Sequence, residues 1–187
     1  MYKYIKRALD FCAALGAIIV LSPVLLIVAL LVKTKLGSPV LFKQERPGMI
    51  DSKTGEEKIF TLCKFRTMTD ERDENGELLP DEIRLTKFGK FLRSTSIDEL
   101  PEFINILKGD MSLVGPRPYL HREIDDMLYY ENIIKMTPGL TGLWQVSGRS
   151  DISFKARCRL DNEYYKKQSL IMDIKIIFKT IKVVLTK

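Results

Sequence analysis

The sequence predicts a mainly helical α+β protein with two unlike parts, and three observations carry that prediction. The 22 residues from Phe11 to Val32 contain no Asp, Glu, Lys or Arg, which is the composition of a membrane segment. All the charged residues of these four types therefore lie outside that segment. In the polar remainder, two short β-type runs precede several amphipathic helical patterns. We divide the chain into a membrane anchor, 1–36, and a folded domain, 37–187.

Composition limits the function classes that the domain can have. The 187 residues include 30 Lys and Arg against 24 Asp and Glu, a net charge of +6, which favours anionic partners such as phosphates, nucleic acid or an acidic membrane surface. Three scattered cysteines, Cys12, Cys63 and Cys158, exclude a disulfide framework and a zinc site with CxxC spacing. The single histidine, His121, excludes any mechanism that needs two.

Ser22 and Pro23 interrupt the apolar segment near its centre. Pro23 cannot donate to the carbonyl of Ile19, so we expect a kink there, and the Ser22 hydroxyl can bond to a carbonyl one turn earlier. Lysine and arginine flank both ends of the segment, and such flanks prefer the cytoplasmic side. Two arrangements stay open: a re-entrant helix-break-helix whose ends are both cytoplasmic, and a kinked helix that spans the membrane.

The folded domain contains a short strand pair followed by helices. Val40–Gln44 and Ile59–Phe65 have strand patterns separated by a turn-rich segment, which predicts a small β-hairpin. Ile83–Arg93 and Ser153–Lys167 have helical periodicity. The last helix places an apolar face beside several lysines, so it could lie on the membrane surface or pack against the core.

An acidic pair precedes the central helix. Ser96 and Glu99 fit a capping box, although Pro101 complicates this register and the helix could begin at Leu100 instead. In either register, Asp98 and Glu99 lie at the positive end of a helix dipole, which favours ionised carboxylates and nearby phosphate. An ionised carboxylate is what a nucleophile or an Mg²⁺ ligand requires. The alternative is an acidic first helical turn with no chemical role.

Three cations could clamp a diphosphate beside this pair. Lys64 ends a predicted strand, Arg93 lies five residues before Asp98, and Arg117 is held between two prolines that fix its direction. Each of these charges alone is common on a protein surface, and no spacing forces them together. The glycine-rich turns match neither a P-loop nor a dinucleotide fingerprint, and we expect Trp144 in the core.

Three segments together resemble the bacterial sugar transferase family, in its small monotopic phosphoglycosyl transferase form. They are KFRTM at Lys64–Met68, LRSTSIDELPEFINILKGDMSLVGPRP at Leu92–Pro118 and PGLTGLWQVSGR at Pro138–Arg149. The resemblance extends over nearly the whole chain, including the Ser-Pro anchor. It implies a re-entrant membrane helix-break-helix, a small β-hairpin and amphipathic interfacial helices around a catalytic core. That core would lie on the cytoplasmic face of a bacterial inner membrane.

The resemblance also implies a reaction. A sugar-1-phosphate would move from a UDP-sugar to polyprenyl (undecaprenyl) phosphate, with release of UMP, as the first membrane step of exopolysaccharide or lipopolysaccharide biosynthesis. Asp98 would attack the sugar-bearing phosphorus and form a covalent aspartyl-phosphosugar, and Glu99 would support the site. Mg²⁺, with Asp98 as a ligand, would neutralise the diphosphate. The Leu143-Trp144 form of the third motif favours galactose or glucose as the sugar.

The family pattern further implies binding residues and partners. The implied substrate-binding residues are Lys64, Arg93, Arg117, Gly142, Gln145, Arg149 and Asp173. UDP-sugar, polyprenyl phosphate and membrane lipid are the expected partners, without nucleic acid. Downstream glycosyltransferases and a second copy in a homodimer are further candidates. The rival function is a membrane-tethered basic module that binds nucleic acid or acidic lipid without catalysis. The sequence lacks the aromatic and basic stripes that nucleic-acid binding favours.

Overall fold

The computed structural model of the chain describes residues 1–51, 54–148 and 151–186. These residues form a long N-terminal helix, an antiparallel hairpin, a series of shorter helices and a second, parallel pair of strands. The predicted mainly helical fold with a small hairpin is therefore confirmed.

The elements follow one another with short connections. The α-helices of the described residues are α1 (Tyr2–Leu36), α2 (Asp81–Arg84), α3 (Lys87–Ser94), α4 (Glu102–Lys108), α5 (Tyr130–Ile133), α6 (Phe154–Lys167) and α7 (Leu170–Leu185). The strands are β1 (Leu41–Ile50), β2 (Glu57–Phe65), β3 (Ser112–Val114) and β4 (Gly139–Thr141). Single 3-10 turns lie at Ile97–Glu99, His121–Glu123 and Trp144–Val146.

Helix α1 continues through Pro23, where the sequence predicted a break between two legs. Pro23 has no N–H to donate to the carbonyl of Ile19. The Ser22 hydroxyl donates to that same carbonyl at 2.8 Å, as the sequence predicted. Because the serine replaces the hydrogen bond that the proline removes, the helical backbone is not interrupted.

One face of α1 packs against the folded domain near both of its ends. Ala14 is buried with Ile106 of α4, and Val32 and Leu36 are buried with Phe65 of β2. Other large apolar side chains of α1 are exposed: Phe11, Leu15, Ile19, Val20, Val24, Leu26, Ile27, Leu30 and Leu31. By length and composition α1 could cross a membrane, and its exposed apolar surface supports membrane association.

Charged residues in the first turns of α1 fasten it to the domain. The Arg7 guanidinium donates to the carbonyls of Ile106 and Leu107, at 2.5 and 2.7 Å, in the last turn of α4, where helix carbonyls need outside partners. The Ile106 carbonyl also accepts from the Gly109 N–H at 3.1 Å. The buried Asp10 carboxylate accepts hydrogen bonds from the Ser112 hydroxyl and the Leu113 N–H, at 2.7 and 3.1 Å. The anchor and the domain are therefore packed together through polar as well as apolar contacts.

The strands form two separate pairs. β1 and β2 make the predicted hairpin, which is longer than the sequence patterns suggested; its register aligns Leu41 with Phe65 and shifts between Pro47 and Ile50. β3 and β4 are parallel and were not predicted, because strands of three residues leave too short a pattern to recognise. This second pair places the turn that follows β3 beside the acidic turn Ile97–Glu99.

Helix caps explain two further boundaries. The predicted helix Ile83–Arg93 is divided into α2 and α3, because the Thr86 hydroxyl accepts from the Gly89 N–H at 3.1 Å and starts a new helix. The predicted helix Ser153–Lys167 is confirmed, with Ser153 as its capping residue.

Arg7→Met is expected to destabilise the protein by about 1–3 kcal/mol, because it leaves the Leu107 carbonyl without its donor and the Ile106 carbonyl with only the Gly109 N–H. The measurement is thermal unfolding of the purified protein in nanodiscs. Lys3→Met, on the exposed surface of the same helix, is the matched control and should change stability by less than about 0.5 kcal/mol. Equal losses in both variants would contradict the capping role of Arg7.

Candidate active site

The 3-10 turn Ile97–Glu99 carries the acidic pair. Ser96, before it, has a left-handed backbone with φ of 58° and makes no side-chain cap, so the predicted capping box is wrong. The left-handed residue turns the chain before the helix can start, and α4 begins only at Glu102. A left-handed conformation costs a non-glycine residue roughly 1–2 kcal/mol. Such strain is typical of functional turns.

Asp98 points inward from this turn and is only 8% exposed. Burial raises the pKa of its carboxyl above the ordinary range, and the charge of Glu99 raises it further, while Lys64 and Arg93 lower it. The two cations therefore favour the ionised form that burial disfavours. A carboxylate in such surroundings is poorly solvated, which suits a nucleophile.

Lys64 joins Glu99 to a third acid, Glu102. Its Nζ lies 2.8 Å from Glu99 Oε1 and 3.1 Å from Glu102 Oε1, and Arg117 Nη1 lies 4.0 Å from the same Glu99 oxygen. Burial raises the pKa of Glu102 to about 7, although the charge of Lys64 opposes the shift. The sequence analysis missed Glu102. Glu102 follows Glu99 by three residues and Asp98 by four, a spacing at which helical side chains are neighbours, and this was the available signal.

A cavity of about 910 Å³ lies beside the acidic turn. Asp98 is not among its lining residues, but its neighbours Ser96 and Glu99 are. Four arginines from separate parts of the chain also line it: Arg46, Arg93, Arg117 and Arg157. Their positive charge beside the carboxylates suits a ligand that carries phosphate groups.

Backbone and side-chain contacts fix the direction of two of these arginines. Arg46 donates from Nη1 to the carbonyl of Pro118 at 2.9 Å, which holds the turn that carries Arg117. Arg93 donates from Nε to the Thr67 hydroxyl at 3.0 Å. The sequence analysis predicted Arg93 and Arg117 but missed Arg46, since nothing in a strand pattern marks a residue that contacts a distant turn.

Trp144 and Gln145 line another part of the cavity. Trp144 is 6% exposed, so its predicted burial is confirmed, and the Arg157 guanidinium lies 4.8 Å from its ring centroid. Trp144 Nε1 and Gln145 Oε1 are buried with no hydrogen-bond partner in the described ranges. Both atoms are fully buried, with Gln145 Oε1 close to Gly142, so neither is exposed to a ligand in the cavity.

The other predicted binding residues have different surroundings. Lys64 forms ion pairs with Glu99 and Glu102 and does not line the cavity. Gly142 is not a lining residue either: a Cβ there would clash with the carbonyl oxygen of Gly115, so glycine permits that backbone contact. Arg149 lies outside the described residues.

Asp173 is placed by the structure at the base of the anchor and away from the cavity lining. Its buried carboxylate accepts three hydrogen bonds, from Tyr2 and Lys6 of α1 at 2.8 and 2.9 Å and from Tyr164 of α6 at 2.6 Å. These contacts connect α7 to the anchor.

The acidic pair also suits a divalent cation. The described residues contain no group of three or more His, Cys, Asp or Glu that could hold a metal ion. Mg²⁺ commonly uses only one or two carboxylates and completes its shell with substrate phosphates and water. Asp98 and Glu99 are therefore the residues that could hold an Mg²⁺ ion together with a diphosphate.

Comparison with known proteins assigns this arrangement to a family. The family model described as bacterial sugar transferase matches residues 1–187. The chain belongs to the bacterial sugar transferase family. It is therefore an enzyme of the transferase class, as its resemblance to that family implied.

Individual relatives agree with the family match. The uncharacterized sugar transferase EpsL of Bacillus subtilis is 47% identical, over 97% of this chain and 87% of EpsL. The undecaprenyl-phosphate galactose phosphotransferase of Salmonella typhimurium is 38% identical, over 99% of this chain but 41% of that protein. The exopolysaccharide production protein ExoY of Sinorhizobium fredii is 38% identical, over 94% of this chain and 83% of ExoY.

Glu102→Gln is expected to stabilise the protein at high pH. The folded protein binds the Glu102 proton more tightly than the unfolded chain, so stability falls as the pH rises from 4.5 to about 7. The amide removes this loss, on the order of 3 kcal/mol. The melting temperature of the variant should exceed that of the wild type by several degrees at pH 8 and differ little at pH 5. The same difference at both pH values would contradict the assignment.

Proposed function

We propose that this enzyme transfers a sugar-1-phosphate from a UDP-sugar to a polyprenyl phosphate and releases UMP. The observation that carries the proposal is the buried Asp98 carboxylate, next to an arginine-lined cavity, in a chain with an exposed apolar helix. Relatives support it by name: besides the Salmonella enzyme, a UDP-galactose-lipid carrier transferase of Erwinia amylovora is 40% identical over 99% of this chain, which spans 41% of that protein.

In the first step, a carboxylate oxygen of Asp98 attacks the sugar-bearing phosphorus of the donor. The bond between that phosphorus and the bridging oxygen breaks, and its electron pair leaves with UMP. The sugar phosphate is then held on Asp98 as an acyl phosphate. Arg93, Arg117 and Arg46 are positioned to stabilise the charge on the diphosphate.

In the second step, a phosphate oxygen of the polyprenyl acceptor attacks the same phosphorus. The bond to Asp98 breaks, the carboxylate is restored, and a polyprenyl diphosphate sugar leaves. Glu99 and Lys64 form an ion pair beside this centre and fix the position of the acidic turn. Mg²⁺, held by Asp98 and Glu99, would supply positive charge to the diphosphate when bound.

The nucleotide of the donor would bind near Trp144 and Gln145, which line the cavity together with Arg157; Arg149 and Gly142 belong to the same segment. Leu143-Trp144 favours galactose or glucose as the sugar. The ExoY relatives connect this chemistry with exopolysaccharide production.

We further propose that α1 enters and leaves the membrane on the cytoplasmic face. Its N-terminal turns and its C-terminal turns both contact the same folded domain, through Asp10 and Ala14 at one end and Val32 and Leu36 at the other. A domain on one side of a membrane can hold both ends only if both lie on that side. Lys33 and Lys35 at the end of the helix favour the cytoplasm.

Asp98→Asn is expected to abolish covalent labelling. The test supplies purified enzyme, without acceptor, with UDP-galactose and UDP-glucose that carry ³²P in the sugar-linked phosphate. The wild type should retain label after denaturation, and the exposed-acid control Asp125→Asn should retain as much. The melting temperature of Asp98→Asn should not fall, because the amide avoids the cost of a buried charge. Equal labelling of Asp98→Asn and the wild type would refute the nucleophile.

The topology is tested with introduced cysteines in a Cys12→Ser background, in which the remaining cysteines, Cys63 and Cys158, are buried. Lys3→Cys and Lys35→Cys should both react with a membrane-impermeant maleimide only when the cytoplasmic face is open. Pro23→Ala restores the missing N–H and should move part of the Lys3→Cys population to the outer face. Labelling of Lys3→Cys from outside in the presence of Pro23 would contradict the re-entrant arrangement.

A further inference from the structure

The cavity beside the acidic turn has walls of two chemical kinds. The charged part of its lining consists of the four arginines with Glu99 and Glu123. The apolar part comes from several segments, among them the start of α4, with Leu100 and Phe103, and α7, with Ile177, Ile181 and Val184. A ligand that fills both parts must combine an anionic group with an apolar chain.

The apolar wall continues onto the outer surface of α7. Ile171, Ile174 and Phe178 are 68%, 52% and 69% exposed, and Ile181 is 50% exposed although it also lines the cavity. Successive residues of a helix are rotated by roughly 100° around its axis. On the circumference of α7, Ile181 therefore lies between the cavity-lining residues and this exposed apolar strip. The lysines of α7 lie beyond the strip, on the side away from the cavity. An apolar chain can therefore pass from the cavity to the outer face of α7 without meeting a charge of that helix.

The α7 wall offers a nucleotide no polar partner. Its one lining hydroxyl, that of Thr180, already donates to the carbonyl of Ile176 at 2.8 Å and pairs with the Thr141 hydroxyl at 2.7 Å. A nucleobase placed there would lose its hydrogen bonds to water without replacement. The part of the cavity that is lined by Trp144, Gln145 and Arg157 offers a base an aromatic side chain and a cation instead.

We propose that Leu100, Phe103, Ile177, Ile181 and Val184 bind the first isoprenoid units of the acceptor. Its phosphate lies among the arginines near Asp98, and its chain leaves the protein at Ile181 to enter the lipid. This assignment rests on the proposed function and locates one of its two substrates.

Kinetics of the separate steps tests the assignment. Ile181→Trp narrows the exit, and Phe178→Trp, on the exposed strip outside the cavity, is the matched control. Exchange of label between UMP and UDP-sugar without acceptor measures the donor step alone. We expect Ile181→Trp to keep this exchange within about two-fold of the wild type and to raise the KM for undecaprenyl phosphate about ten-fold or more. Phe178→Trp should leave both unchanged.

The outcomes distinguish the inference from the reaction on which it rests. Loss of exchange in Ile181→Trp would put the donor against α7 and overturn the inference, as would an unchanged KM for the acceptor. Absence of exchange in the wild type would instead overturn the covalent mechanism, and the KM for undecaprenyl phosphate would still decide where the acceptor chain binds.

Photocrosslinking supplies an independent readout. The probe is a short isoprenyl phosphate with a diazirine in its second unit, and saturating UMP is added to occupy the donor site. Labelled peptides should contain 177–184 or 100–103. Label confined to the exposed face of α1 would overturn the assignment.

Discussion

The active site depends on the ammonium group of Lys64. Asp98, Glu99 and Glu102 place three carboxylates within five residues of a largely buried turn, where their mutual repulsion would be strong. Lys64 contacts two of them directly and favours the ionised form of the third. It stands at the end of β2, and its charge joins the hairpin to Glu99 of the acidic turn and to Glu102 at the start of α4. Removing it would leave buried carboxylates without a compensating charge. The free energy lost in this way exceeds the net stabilisation that an intact buried ion pair provides.

A second contact between the same elements supports that charge. The Asn105 side chain of α4 accepts from the Cys63 N–H at 3.1 Å and donates to the Thr61 carbonyl at 2.7 Å. These two backbone groups at the edge of β2 therefore have hydrogen-bond partners, as they would beside a neighbouring strand. Lys64 follows directly in the chain, so its side chain starts from a fixed backbone. The hairpin, which is small and partly exposed, contributes two cations to the site, Lys64 from β2 and Arg46 from β1.

Features that depend on a local pattern of residues could be predicted from the sequence. The hairpin, α6, the apolar anchor and the acidic pair all follow from periodicity, charge or a motif. Arg46 and Glu102 were missed because their importance comes from contacts made in space, with the 115–118 turn and with Lys64. The parallel pair β3 and β4 was missed because it depends on two short segments 27 residues apart in register. The Ser96 cap was wrong because a left-handed backbone overrode a good capping sequence.

The polar fastening of α1 has a practical consequence for work on this enzyme. In a fragment that starts after Leu36, α4 would lose its hydrogen bonds from Arg7, and β3 would lose its hydrogen bonds to Asp10. The Asp173 carboxylate would lose its donors Tyr2 and Lys6. The truncation would also uncover Phe65, Leu92 and Ile106 to water. Attempts to obtain a water-soluble catalytic fragment by truncation should therefore give aggregated material, and detergent or polymer extraction of the intact chain is the sounder route to purification.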